Sequence, residues 1–207
     1  MKMPAEIPMS LNGVTDLPLG KIANVVTYLE RAGPPPSRPA LPADLFVDAP
    51  QPASVPAYRE IYRRIGQDLL WMSRALMTDA ELADWLGRPT TVIRFLLRSG
   101  EPVGLVELDR SQPGTTEIVS FGVVPQEIGT GTAHLLMDAV LAGETAAVWL
   151  HTCTFDHPAA VPFYVRHGFR AYKFAVEVFD DPRLTGHLPR TAAPQMPLIE
   201  PAKTPGA

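Results

Sequence analysis

Two glycines set two residues apart, Gly129 and Gly131, follow the run EIVSFGVVP and precede an apolar helical pattern that opens near Thr132. Glycines so placed let backbone N–H groups crowd around a guest. The helix N-terminus behind them carries partial positive charge, so an anion such as phosphate suits the loop. A dinucleotide fingerprint, G-x-G-x-x-G, fails at its third position, which is His134, and the strands before it read as antiparallel hairpins. A P-loop fails because this loop has no lysine. A plain turn before a helix explains the two glycines as well, if the loop stands alone. Further on, His151, Cys153 and His157 raise metal or nucleophile chemistry. Ligands at i, i+2 and i+6 along a strand and loop lack a fourth partner, so they read as structural or as lining a cleft.

Positioning such a loop requires a folded body, and the composition supplies one. The chain has 207 residues, 46% hydrophobic and 19% charged, which suits one main core. A net charge of −4 and the lack of any Lys/Arg run argue against nucleic acid as a partner. The single cysteine, the absence of a signal-peptide core and the absence of a run of roughly 20 apolar residues give no membrane and a cytoplasmic location as the expectation. Of 23 prolines, 11 lie in residues 1–56 and 6 in 182–207, so both ends should be extended arms. The boundaries read as an arm over 1–56, a domain over 57–180 and a tail over 181–207. Within the arm, Asn24–Glu30 is β-branched and aromatic and is expected to return to the sheet as a first strand. Between the arms, AYREIYRRI places Tyr58, Ile61, Tyr62 and Ile65 on one helical face, and Thr78 with Glu81 forms capping-box spacing for a second helix. Then TVIRFLLR, VGLVELD and TEIVSFGVV read as three strands joined by tight turns. A helix from about Thr132 to Glu144, the strand AAVWLHTC, a helix closed by Gly168 and a final strand complete the order α, α, β, β, β, α, β, α, β.

Gln126, Gly129 and Gly131 fit R/Q-x-x-G-x-G/A after a strand and before a helix, and Ala160, Tyr164, Gly168 and Phe169 fit A-x-x-x-Y-x-x-x-G-F on the helix that follows the next strand. With both motifs at proper separation, the chain from about Ala57 to Val178 resembles the GCN5-related N-acetyltransferases, in particular a bacterial subgroup with runs like FGVVPQEIGTG and VWLHTCTFDHPAA. The resemblance implies a mixed α/β fold, with a mostly antiparallel sheet whose central strands splay apart, flanked by helices. It implies acetyl-CoA as cofactor, held by Val123, Val124, Gln126, Ile128, Gly129, Thr130, Gly131, Thr132, Ala133, His157, Ala160 and Tyr164. The chain departs from the family at Ile128, where a basic residue is common, and at His157, where asparagine is common. Pyrophosphate would then lean mainly on backbone donors.

The implied activity moves an acetyl group to a primary amine of a small molecule or peptide, by direct attack in a ternary complex. That chemistry needs a neutral amine, a polarised carbonyl and protonation of the departing thiolate. Tyr164 is placed by the resemblance as general acid. Glu117, a carboxylate on an otherwise apolar strand and expected on one face with Val119, Phe121 and Val123, is the candidate base; the alternative pairs it with Arg94 or Arg98. A bulge is expected at Gly122, exposing backbone groups to the thioester. Trp71 and Trp85 either cover the acceptor or belong to the core. Glu107, Asp109 and Glu117 favour a cationic amine. The alternative class is a degenerate member that binds acyl-CoA as a sensor without turnover. The apolar residues after Asp181 are expected to pack on the body or on a second subunit of a homodimer.

Overall fold

The computed structural model describes residues 8–37, 39–48 and 53–201. Seven strands and four helices follow in order: β1 (Lys21–Arg31), β2 (Leu45–Val47), α1 (Val55–Gly66), α2 (Asp79–Leu86), β3 (Thr91–Arg98), β4 (Glu101–Asp109), β5 (Thr115–Val123), α3 (Thr132–Leu141), β6 (Ala147–Cys153), α4 (Ala160–Arg166) and β7 (Arg170–Asp180). The strands form one sheet in the order β2-β3-β4-β5-β6-β1-β7. Every pairing is antiparallel except β5 with β6. This is the expected mixed α/β architecture.

Local signals account for the helices. Ser54 accepts from the Ala57 N–H at 3.4 Å to start α1, and Pro56 sits in the first turn, where its missing N–H costs nothing. Tyr58, Ile61, Tyr62 and Ile65 are the buried stripe. Thr78 and Glu81 close the capping box of α2, a reciprocal pair whose loss would cost about 1 kcal/mol. α1 and α2 cover one face of the sheet, where Tyr58 of α1 and Trp85 of α2 both bond Glu107 of β4. α3 and α4 cover the other: Leu136 packs toward Gly104, and Phe163 against Phe121.

Three features of the sheet position the site. First, β5 and β6 pair only from Thr115/Ala147 to Ile118/Leu150, and beyond that they splay. Second, a bulge in β5 falls at Val119, because Glu107 opposes Ser120 while Leu108 opposes Ile118. The expected bulge at Gly122 is therefore misplaced by three residues. Gly122 pairs regularly with Leu105 and is instead a close-packing glycine, since a Cβ there would lie 2.5 Å from Ile65 Cγ2 and 3.2 Å from Trp71. The bulge also separates residues expected to share a face. Glu117 opposes Asp109 on the α1 side, whereas Phe121 opposes Val106 and meets α4. Third, the first strand lies inside the sheet, pairing with β6 on one side and β7 on the other.

Among its described residues before α1, the proline-rich segment contributes the edge strand β2, in keeping with its composition. The described part of the tail packs on the body. Leu188, Ala192 and Ala193 join Ile22, Leu70 and Phe155 in a second core. Arg183, fully buried, pairs with Asp181 at 2.7 Å and donates to the carbonyls of Ala192 and Met196 at 3.0 and 2.8 Å. Among the described residues no helix is long and apolar enough to cross a membrane.

Candidate active site

The glycine loop is shaped by backbone geometry and by one buried carboxylate. Pro125–Glu127 makes a single 3-10 turn, Ile128 is extended, and Gly129 and Gly131 take φ of +80° and +88°. Gly131 caps α3. A Cβ built on either glycine meets nothing within 4 Å, so the surface above them is open, and their N–H groups have no acceptor among the described residues. Glu127 holds the loop from beneath. It accepts from Arg98 Nε at 2.7 Å and from Thr132 Oγ1 at 2.8 Å, while Thr130 Oγ1 donates to its carbonyl at 2.8 Å. The Arg98 bonds keep its carboxyl well below the usual carboxylate range. Thr130 and Thr132 thus spend their hydroxyls on the loop, leaving backbone groups for an anion. Val124 is buried with its N–H bonded to Val103 O, Gln126 and Ile128 are exposed, and Ala133 stands in the first turn of α3.

The splay between β5 and β6 opens a cavity of 180 Å³. Tyr164 and Phe121 line it from the α4 side, and Tyr62 and Trp71 from the α1 side, so it passes through the sheet. Two clefts lead to it. One of 290 Å³, bordered by His157, Ala160 and Val161, shares Cys153 and Asp156 with the cavity. The other, of 480 Å³ between α1 and Gly186–Pro189 of the tail, shares Tyr62 and Trp71. Asp156 fixes the junction by accepting from Trp71 Nε1 at 3.0 Å, Thr152 Oγ1 at 2.6 Å and the Cys153 N–H at 2.9 Å. Sequence reasoning missed Asp156; its only signal is a turn-forming Asp-His-Pro after a strand.

Tyr164 sits among Phe121, Phe163 and Phe169, with its hydroxyl unpartnered among the described residues. Burial, with help from the Asp156 charge, raises its pKa well above the usual phenol value, so it keeps its proton at neutral pH. Glu117 does not line the cavity. It stands beside His151, which does, with Oε1 3.8 Å from His151 Nε2, too long for a direct hydrogen bond. Burial first, and the Asp109 carboxylate second, push the Glu117 carboxyl up to about 7. Burial lowers His151 below the ordinary histidine value. Of the arginines expected as rival partners for Glu117, Arg98 is committed to Asp44 and Glu127.

Several expected residues have other work. Glu107 is fully buried and held by Arg74 at 2.6 Å, Trp85 Nε1 at 2.7 Å and the Tyr58 hydroxyl, so it is withdrawn from any substrate. Trp85 belongs to that cluster, stacked under the Arg74 guanidinium at 4.1 Å, while Trp71 faces the cavity. His157 Nδ1 accepts from the Ala159 N–H at 3.1 Å and shapes the turn into α4. Cys153 and His151 line the cavity, and among the described residues no group of three His, Cys, Asp or Glu side chains converges on a metal position.

An open glycine loop at a helix N-terminus, together with a cavity between splayed strands, defines a class of protein. The chain belongs to the acetyltransferase (GNAT) family, whose sequence model matches residues 45–169. Solved structures share the fold. A GCN5-related N-acetyltransferase from Sphaerobacter thermophilus is 16% identical at a TM-score of 0.54, covering 77% of this chain and 52% of its own. An acetyltransferase of the same family from Novosphingobium aromaticivorans is 17% identical at 0.53, covering 80% and 69%. The ribosomal-protein-S18-alanine N-acetyltransferase of Escherichia coli is 13% identical at 0.52, covering 65% and 92%. The chain thus spans about half the length of the Sphaerobacter protein. No curated protein matches it in sequence.

Proposed function

We propose that the protein is an acetyl-CoA-dependent N-acetyltransferase acting on a primary amine of a small molecule or peptide. The observation that carries this reading is the cavity through the β5–β6 splay, reached from one face beside the start of α4 and from the other beside α1. The open, positive-φ backbone at Gly129 and Gly131 and the α3 N-terminus fit a pyrophosphate, and the gap beyond Ile118 fits a narrow arm passing between strands.

Acetyl-CoA, when bound, supplies the acetyl group as a thioester, so that a carbon–nitrogen bond forms as the carbon–sulfur bond breaks. The chain's residues handle the two protons. The Tyr164 hydroxyl, neutral and desolvated, delivers one to the departing sulfur. Glu117, with its carboxyl near neutrality, takes the amine proton through water or through His151 at the cavity wall. Asn24 favours an N–H donor in the same place. It is buried, its Nδ2 donates to Glu177 at 2.9 Å, and its Oδ1 has no partner among the described residues. The 480 Å³ cleft is lined by Tyr62, Trp71 and Leu188 and also by Arg59, Arg63 and Arg74, which suits an amine carried on a body with apolar and anionic parts.

The test is release of free thiol from acetyl-CoA with a panel of primary amines, beside melting curves with acetyl-CoA alone. Turnover with at least one amine is expected. A rise in melting temperature without thiol release for any amine would leave an acyl-CoA-binding module, and no rise at all would overturn the site.

A further inference from the structure

β7 is the long open edge of the sheet. It runs for 11 residues and pairs with a described strand on one side only, that of β1. The opposite edge, β2, has 3 residues and follows proline-rich chain, the usual protection against adding a strand. β7 contains no proline. Phe174 is 71% exposed, and Val176 and Val178 are exposed on the same face, beside Val25 of β1, whereas a bulge at Tyr172 turns that residue to the Tyr28 side.

The sequence of this edge is complementary to itself. Its middle residue is Ala175. An antiparallel match to a second copy about a two-fold axis at Ala175 sets Lys173 against Glu177 and Phe174 against Val176, each twice. Opposed residues in an antiparallel pair share a face. The phenylalanines and valines therefore gather on the α4 side around the axis, and the charges on the other side. Moving the axis to Phe174 or Val176 destroys both charge matches. Lys173 and Glu177 lie on the face opposite the apolar stripe, Lys173 over the Tyr28 ring and Glu177 beside Asn24. At the ends, the bulge at Tyr172 leaves Arg170 and Asp180 on opposite faces, bonded within the chain to Glu30 and Lys21 respectively, so the central pairs alone decide the register.

We propose that the β7 edge is a homodimer interface, in which two copies pair β7 to β7 antiparallel about Ala175 and join their sheets into one. Backbone hydrogen bonds satisfy the open edge, the apolar stripe is covered, and the Lys173–Glu177 matches fix the partner as a second copy of this chain.

Sedimentation of the full chain over a concentration series should show a dimer. Lys173→Glu places like charges opposite Glu177, and Glu177→Lys places them opposite Lys173. Each should weaken dimerisation by about tenfold or more. An equimolar mixture of the two variants restores every charge match between unlike chains, so dimer should reappear in the mixture. Phe174→Glu, at an exposed position that leaves the fold intact, should give monomer alone. A wild-type chain that stays monomeric, or a dimer indifferent to all three substitutions, overturns the interface. Dissociation by both reversals without recovery in the mixture overturns the register.

Discussion

Replacing Glu117 by glutamine should make the protein more stable and less active at once. The carboxyl is raised from 4.5 to about 7, by burial first and by the Asp109 carboxylate second. The folded chain therefore holds this proton more tightly than the unfolded chain, and wild-type stability falls as pH rises between those two values. A wholly shielded group would lose about 3 kcal/mol over that interval at 1.36 kcal/mol per pH unit. The Glu117 side chain is 21% exposed, and solvent screening reduces the expected loss to about 1–2 kcal/mol. Glutamine is neutral in both states and escapes it. Urea melts of both proteins from below pH 4.5 to above pH 7 should show the variant gaining that margin through the interval and keeping it above. Activity should move the other way. Without a proton acceptor kcat/KM should fall by about 100-fold or more at pH 7 and recover in part at high pH, where the amine loses its proton unaided. A variant that melts below wild type at pH 8 would show the carboxylate to be stabilised by a partner, contrary to its burial beside Asp109. Full activity at pH 7 would remove Glu117 from the proton path.

Three further outcomes are expected. Acetyl-CoA should raise the melting temperature with the logarithm of its concentration, and Gly131→Val should abolish the rise, because φ of +88° disfavours a β-branched residue and its side chain would fill the open surface; equal binding would refute the loop. Tyr164→Phe keeps the ring among Phe121, Phe163 and Phe169 and should lower kcat by roughly 10- to 1,000-fold with cofactor affinity unchanged, whereas equal turnover returns Tyr164 to the core. Arg183→Met leaves Asp181 buried without its partner and frees the Ala192 and Met196 carbonyls, which should cost about 3 kcal/mol in a urea melt; a loss below about 1 kcal/mol would show the tail to be dispensable.

What the sequence disclosed follows the range of the interactions involved. The capping box at Thr78 and Glu81, the buried stripe of α1 and the helix-capping glycine at position 131 are local, and each is readable from neighbours within four residues. The bulge at Val119 is hidden because an inserted residue leaves no mark on a run of mixed apolar and polar residues; it shows only against the register of β4. That single insertion turns Phe121 and Val123 to the face away from Glu117. Glu107 reads as available for a substrate because nothing near it in sequence announces Tyr58, Arg74 and Trp85 as its partners. Likewise the Arg98–Glu127 pair, which organises the loop, joins residues 29 apart. The cavity is implied only through the family resemblance, since it exists where two strands stop pairing.

The placement of β1 has a consequence for how the molecule comes into being. Its neighbours in the sheet, β6 and β7, are the last of the described strands to be made, and Asn24 meets Glu177 across a separation of 153 residues. At about 5–20 residues per second, residues 21–31 leave the ribosome roughly ten seconds before either neighbour exists. Their backbone must remain unpaired through that interval, and closing so long a loop makes their docking a late and slow event. A nascent chain stopped after the segment matched by the family would hold the glycine loop and Tyr164 yet lack the last strand, leaving β1 with only β6 beside it. Vectorial synthesis thus withholds the wall that Asn24 and Glu177 share until β7 has emerged.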